Sequence, residues 1–344
     1  MSLLKPRVFY VMALGKLRPE ADTMSNLDEI NKAKEKLRGF INRTGIIYSY
    51  SFSKMIGAQI FLKAENMQKT GSFKIRGAYN RISRLNDEER KYGVIAVSAG
   101  NHAQGVALAA SVFGIKATVV MPESVPKNKV QATRNYGAEV IMHGNSIEES
   151  KKFALENAKK GQTFIHPYDD PMVIAGQGTI GLEMIEDEPQ LDTIIVPVGG
   201  GGLISGIAIA LKSIKPSIRL IGVEIKGYES VRLSINSGKI VEVHGGTTIA
   251  DGIAINTCGN LPYEIIRKYV DDIVTVSEKE TEESICLLLE RSKLLTEGAG
   301  AIGMAALLSG EIKARAGERI GIVLSGGNIE LELLRMMIEN HKKM

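Results

Sequence analysis

The chain has no tryptophan, only two cysteines and 5% aromatic residues in 344 positions. Each scarcity removes a class of function. Nucleic-acid binding through aromatic stacking or a basic stripe has no support, because 43 basic residues face 39 acidic ones and no long basic block appears. Cys258 and Cys286 have neither a CxxC spacing nor a histidine cluster beside them. That excludes a zinc site and a disulfide framework, and it fits two buried thiols in a reducing, cytoplasmic setting. No apolar run is long enough to span a bilayer. The short run 8–14, flanked by Lys5, Arg7 and Lys16, is faintly like a signal peptide but lacks a small-residue cleavage site. Residues 1–23 therefore read as an N-terminal extension, with Met24 an alternative start. The five histidines are scattered without a nucleophile elbow, so no Ser/His/Asp set is readable.

What is present is an ordinary globular composition, 44% hydrophobic and 24% charged, on a chain long enough for two lobes. From residue 60 onward, short apolar strands alternate with small-residue turns and helices. Strands are expected at 60–62, 94–97, 117–121, 139–142, 163–165, 193–196, 220–224, 273–276 and 320–324. Helices are expected at 26–37, 103–113, 127–135, 151–159, 173–185, 203–212, 282–294, 299–308 and 329–340. Strands that are apolar without interruption need cover on both faces, which parallel sheets in α/β proteins supply. Ligands are then expected at the carboxyl ends of the strands.

Gly199-Gly200-Gly201-Gly202 lies between a strand and a helix. Four glycines leave backbone N–H groups unobstructed at a helix N-terminus, a site for phosphate; a plain turn would not need their conformational cost. No Walker lysine accompanies them. Gly176-Gln177-Gly178-Thr179-Ile180-Gly181 matches a dinucleotide string, but no long strand precedes it and Gly201 stands where the acidic residue should be, so it reads as close helix packing. Ser98-Ala99-Gly100-Asn101-His102 ends one strand and opens a helix; it is either a carboxylate-holding turn or a capping turn with Asn101 as N-cap. Ser325-Gly326-Gly327-Asn328 repeats the arrangement, with Ser325 either facing a ring nitrogen or capping. Lys74, between Phe73 and Ile75 and flanked by Gly71 and Gly77, is either a surface lysine or a desolvated amine able to form a Schiff base. The pairs Asp169/Asp170 and Asp271/Asp272 read as solvated turn residues.

Taken together and in this order, the segment 65–78 around Lys74, the turn 98–105, the glycine tetrad, 296–301 and Ser325 to Asn328 resemble the fold-type II pyridoxal-phosphate enzymes, the tryptophan synthase β superfamily. Within it the likeness is closest to short catabolic threonine/serine dehydratases, and it runs from about Met24 to the end. It implies a two-lobed α/β fold, each lobe a mostly parallel sheet covered by helices. Residues 24–69 and 170–344 would form the larger, cofactor-binding domain, and 70–169 a smaller one that closes on substrate.

The resemblance also implies roles. Lys74 would hold pyridoxal phosphate and act as the base at Cα, with Phe73 against one face of the ring and Gly252 leaving room at the other. Asn101 would bond the cofactor's 3′-oxygen. Gly199, Gly200, Gly201, Gly202 and Leu203 would bind the phosphate, Ser325 would meet the ring nitrogen, and Glu297 would lie near the ring. The turn Ser98, Ala99, Gly100, Asn101 and His102 would take the substrate carboxylate. The implied reaction dehydrates and deaminates L-threonine, and L-serine as well. Serine racemases of this fold carry a second serine where this chain has Ala99, which argues for elimination over racemisation. Glu224 matches a cation-site glutamate, but Ile225 to Tyr228 do not continue the pattern; a monovalent ion stays open there and a divalent one is disfavoured. The chain ends soon after the last helix, so no ACT-type regulatory domain is expected, and the family implies a homodimer or homotetramer. Other readings stay open: serine racemase, β-replacement or threonine synthase-type chemistry on the same scaffold, and a non-catalytic phosphate- or nucleotide-binding module.

Overall fold

The computed structural model describes residues 26–341, so the expectations for 1–23 lie outside the described residues. The first elements are α1 (Leu27–Leu37), β1 (Ile46–Tyr48), α2 (Tyr50–Ile56), β2 (Gln59–Lys63), α3 (Lys74–Ile82) and α4 (Asp87–Tyr92). Next come β3 (Val94–Val97), α5 (Asn101–Val112), β4 (Ala117–Met121), α6 (Lys127–Asn135), β5 (Glu139–Met142), α7 (Ile147–Ala158) and β6 (Thr163–Phe164). The remainder is α8 (Pro171–Asp187), β7 (Thr193–Pro197), α9 (Gly202–Ile214), β8 (Arg219–Ile225), α10 (Ser230–Ser237), α11 (Asn260–Tyr269), β9 (Asp272–Val276), α12 (Glu278–Leu287), α13 (Gly298–Leu308), β10 (Arg319–Val323) and α14 (Leu331–His341).

The strands form two sheets. One has the order β1-β2-β10-β7-β8-β9, parallel throughout except for the β1–β2 pair; the other, β5-β4-β3-β6, is wholly parallel. The α/β expectation therefore holds, and the antiparallel edge strand β1 is the addition. Alternate residues of the larger sheet feed opposite layers. Ile194 and Val196 join α8, α9 and α11, while Ile195 and Ile322 join α12 and α13. This is why its strands read as unbroken apolar runs. Helix α13 is apolar on every side because it is buried on every side.

The glycines at 176, 178 and 181 lie within α8, not in a nucleotide loop. A Cβ on Gly178 would come within 2.8 Å of the Gly206 carbonyl oxygen on α9, and one on Gly176 within 2.6 Å of the Arg76 carbonyl on α3. The packing explanation is the correct one.

One reading needs correction, whereas Asp271 and Asp272 are exposed as expected. Asp169 and Asp170 are not simply solvated. Asp170 caps α8 by accepting from the N–H groups of Met172 (2.7 Å) and Val173 (3.0 Å), and Asp169 caps α11 through Asn260 and Leu261. Asp271 likewise accepts from the Leu220 N–H and the Lys212 ammonium, both at 2.8 Å.

Candidate active site

The carboxyl ends of both sheets face one another, and the segments that follow them build a single cavity of about 930 Å³. Strand β2 leads through a tight turn to Lys74 at the start of α3. Strand β3 leads into Ser98–His102, β7 into the glycine tetrad, and β10 into Ser325. All the expected cofactor and substrate residues line this cavity: Phe73, Lys74, Ser98, Ala99, Gly100, Asn101, His102, Gly199 to Gly202, Leu203, Gly252, Glu297 and Ser325. Glu224 does not. It is fully buried beside α10, where its carboxylate accepts from the N–H groups of Val231 and Arg232, both at 2.9 Å. Burial pushes its pKa up to about 8 despite those bonds.

Lys74 reaches the carbonyl of Pro167 at 3.1 Å and sits 5.2 Å from the centre of the Phe73 ring. Desolvation drops its pKa to about 8, partly offset by the Glu297 charge. An appreciable fraction of the amine is therefore neutral near physiological pH, the state a nucleophile or base needs. Glu297 moves the other way, up to about 7, because burial and the Asp251 charge outweigh the hydrogen bonds it accepts. Asn101 donates to its Oε1 at 2.7 Å. Asn101 is the first residue of α5, and Gly100 takes the capping position, so the capping alternative for Asn101 does not apply.

His102 is buried, with Nε2 2.9 Å from the Ile165 carbonyl oxygen. Burial, reinforced by the Lys74 charge, pushes its pKa down to about 3, so the ring is neutral and Nε2–H donates to that carbonyl. What His102 can offer an anion is its backbone N–H in the first turn of α5, where N–H groups have no intrahelical partner.

The glycine tetrad fits a phosphate. Gly201 has φ 91°, which disfavours any side chain. A Cβ on Gly200 would collide with the Tyr168 ring, and one on Gly202 would come within 2.8 Å of the Tyr168 backbone. The loop is thus packed tight from behind, while the first N–H groups of α9 stay free for a ligand. Gly252 meets the same condition at the other side of the cavity: a Cβ there would lie 3.3 Å from Glu297 Oε1.

Beneath the lysine turn lies a charge cluster that sequence reading did not find. Arg76, fully buried, forks onto Glu65 (2.8 Å twice) and onto Glu183 (2.7 and 2.9 Å), while Lys63 adds a 2.6 Å bond to Glu183. Burial alone would lower the Arg76 pKa; the two carboxylates overcome this and hold it above its usual value. A lysine closing the apolar run 60–63 was the one available signal. The cavity mouth adds a pair joining distant segments, Lys129 to Asp251 at 2.9 Å. It also adds His166, whose Nδ1 accepts from the Asp169 N–H at 2.8 Å.

Residues 37–326 match the family of pyridoxal-phosphate dependent enzymes, and the chain belongs to that family. It is 50% identical over 317 residues to the L-threonine ammonia-lyase of Thermotoga maritima, covering 92% of this chain and 78% of that protein. It is 51% identical over 307 residues to the catabolic L-threonine dehydratase of Escherichia coli K12, covering 89% and 93%. The structure of maize serine racemase superposes with a TM-score of 0.87 at 39% identity, covering 93% and 98%.

Proposed function

We propose that the protein is a pyridoxal-phosphate-dependent threonine ammonia-lyase, converting L-threonine to 2-oxobutanoate and ammonia and also L-serine to pyruvate. One observation carries the reading: a partly desolvated lysine, a glycine cradle and a strand-end serine meet in one cavity. They do so in a chain about half identical to proteins named L-threonine ammonia-lyase and L-threonine dehydratase. Gly199 to Gly202 and Leu203 would hold the phosphate of the cofactor, Lys74 would be the amine that attaches it, and Ser325 and Asn101 would face its ring nitrogen and its 3′-oxygen. Pyridoxal phosphate supplies the electron sink that weakens the bonds at the substrate's Cα.

The chain supplies the rest. The N–H groups and Ser98 of the turn 98–102 bind and orient the substrate carboxylate. Neutral Lys74 takes the Cα proton at Nζ, which its lowered pKa makes feasible near neutral pH. The proton held on Lys74 Nζ balances the departing β-hydroxyl, which leaves as water, and the released enamine, as its imine tautomer, takes up one water to give the 2-oxo acid and ammonia. Ser325 cannot give a ring nitrogen the proton that a carboxylic acid could, so it would leave the cofactor a modest electron sink, which suits elimination. Ala99 has no proton to deliver to the opposite face of Cα, so Lys74 is the one acid/base group there and racemisation is disfavoured.

The division into a cofactor part (24–69 and 170–344) and a part closing on substrate (70–169) belongs to the same reading; the separate four-stranded sheet supports it. A cytoplasmic location and a homodimer or homotetramer belong to the same reading. Tyr48, Tyr50 and Met55, exposed along β1 and α2, offer an apolar face for the latter.

The test is a 2-oxo acid assay with L-threonine, L-serine and D-serine in parallel, run beside a visible absorption spectrum. Expected are a yellow protein, 2-oxobutanoate and pyruvate formation, and loss of the absorption band with a rate drop of ~10²-fold or more in Lys74→Ala. D-serine appearing as fast as pyruvate would favour the racemase reading, and a protein colourless after cofactor addition a binding module.

A further inference from the structure

The loop after β10 does more than present Ser325. Its backbone is stitched to the lysine turn: the Phe73 N–H donates to the Ser325 carbonyl at 3.1 Å and the Gly327 N–H to the Gly71 carbonyl at 2.9 Å. Between those two strings stands Asn328, which lines the cavity and holds three partners. Its Nδ2 donates to the Thr70 carbonyl and to Asn101 Oδ1, each at 2.7 Å, and its backbone N–H reaches the Glu297 carboxylate.

The direction of this chain of bonds is fixed by chemistry. A backbone carbonyl can only accept, so Asn328 must turn its NH₂ toward Thr70. The second proton of that NH₂ then goes to Asn101, which must answer with its oxygen. Asn101 is left with Nδ2 toward Glu297 Oε1 at 2.7 Å, and that NH₂ has one further proton uncommitted. An amide has nearly the same shape either way round; what decides its orientation is its partners. Here two partners decide together: the accepting oxygen of Glu297, and the donating amide of Asn328, 227 positions away in sequence.

The second half of the argument is backbone strain. Thr70 has φ 61° and ψ 12°, a left-handed conformation uncommon for a β-branched residue, and Gly71 follows with φ 69°. The Thr70 carbonyl is the group Asn328 holds, four residues before Lys74. A Cβ on Gly71 would collide with Asn328 Oδ1, so the two loops leave no slack between them.

We propose that Asn328 is a positioning residue. With Glu297 it fixes the polarity of the Asn101 amide, so that Asn101 presents an N–H and not a carbonyl oxygen to the cavity, and it clamps the strained turn that carries Lys74. This rests on the reading that the cavity holds pyridoxal phosphate. An aspartate at 328 has the size of asparagine but sets an acceptor against both the Thr70 carbonyl and Asn101 Oδ1, leaving Glu297 alone to hold the Asn101 amide. Alanine removes both bonds.

The experiment compares wild type with Asn328→Ala, Asn328→Asp, Asn101→Ala and the double variant Asn101→Ala/Asn328→Ala, all as full chains. Each is stripped of cofactor and titrated with pyridoxal phosphate by visible absorption. The dissociation constant, the band position and its pH dependence are read together with the melting temperature. Loss of two hydrogen bonds should weaken cofactor binding about tenfold or more in both single Asn328 variants. Asn328→Asp should also shift the band or its pH dependence. In the Asn101→Ala background the same Asn328→Ala change should cost distinctly less, because half of what it acts through is gone. The inference fails if the variants bind within twofold of wild type with an unchanged spectrum. It also fails if they lose only melting temperature, or if the cost is equal in both backgrounds. A wild type that takes up no cofactor sinks the lyase reading together with the inference; normal wild-type binding with unaffected variants sinks the inference alone.

Discussion

Replacing Arg76 with leucine takes one cation out of a buried group that is neutral as a whole. Arg76 and Lys63 carry two positive charges against two negative ones on Glu65 and Glu183, and no member is more than 5% exposed. After the change Glu183 keeps the Lys63 ammonium at 2.6 Å. Glu65 loses both guanidinium bonds and keeps only the Thr44 hydroxyl. Leaving a buried charge without its partner costs ~3–5 kcal/mol. With an unfolding entropy of about 2.1 cal/mol/K per residue, 344 residues convert that to a melting temperature lower by about 4–7 °C. The assay is a thermal melt of the cofactor-free protein by circular dichroism. The decisive arm is Arg76→Leu/Glu65→Leu, which leaves one Lys63–Glu183 pair and restores neutrality. Although it carries two substitutions, it should melt above Arg76→Leu. If it melts lower still, the charge-balance reasoning is wrong. Arg76→Lys should fall between, since it keeps the charge but not the planar fork.

Gly200→Ala drives a methyl into the Tyr168 ring and should raise the pyridoxal-phosphate dissociation constant tenfold or more. Gly246→Ala, where a Cβ meets nothing within 4 Å, should change stability by less than about 0.5 kcal/mol. Equal effects at the two sites would refute the packed cradle. Glu297→Gln tests the raised carboxyl. Between the ordinary value of 4.5 and about 7, the folded protein holds a proton the unfolded chain has lost, so this group's contribution to stability falls as pH rises through that window. Glutamine cannot titrate. The melting temperature of the variant minus that of wild type should therefore climb from pH 4.5 to 7 in cofactor-free protein, and a difference independent of pH would contradict the shift.

The sequence made the buried strands and the three strand-end turns readable, because unbroken apolar runs and clustered small residues are local signals. Strands at 94–97 and 117–121 stand where they were expected. β1 and α2 escaped notice because Ile46 to Ile56 mixes apolar, serine and tyrosine residues without a clear period. α10 and α11 escaped it for a related reason: Asp169 and Glu224, which satisfy their N-terminal N–H groups, come from other parts of the chain. The same limit applies to the site. Lys74, Ser325 and the glycine tetrad are marked by their neighbours, whereas the partners of Arg76 and Asn328 are set only by tertiary packing. Asn328, five residues past β10, belongs to a turn the sequence marks, but nothing local shows what its side chain will hold.

The place of β10 in the larger sheet has a consequence for the living ribosome. β10 pairs with β2 on one side and β7 on the other, and Gln59 meets Arg319 across 260 positions. At about 5–20 residues per second, β2 must wait roughly 13–50 s after its own synthesis before its neighbour exists. During that interval the edge of β2 that β10 will occupy has no strand partner. Lys74 likewise cannot reach its working geometry, because the loop that braces it is made last. The turn that carries Lys74 therefore takes its final shape only after nearly all of the chain has been translated.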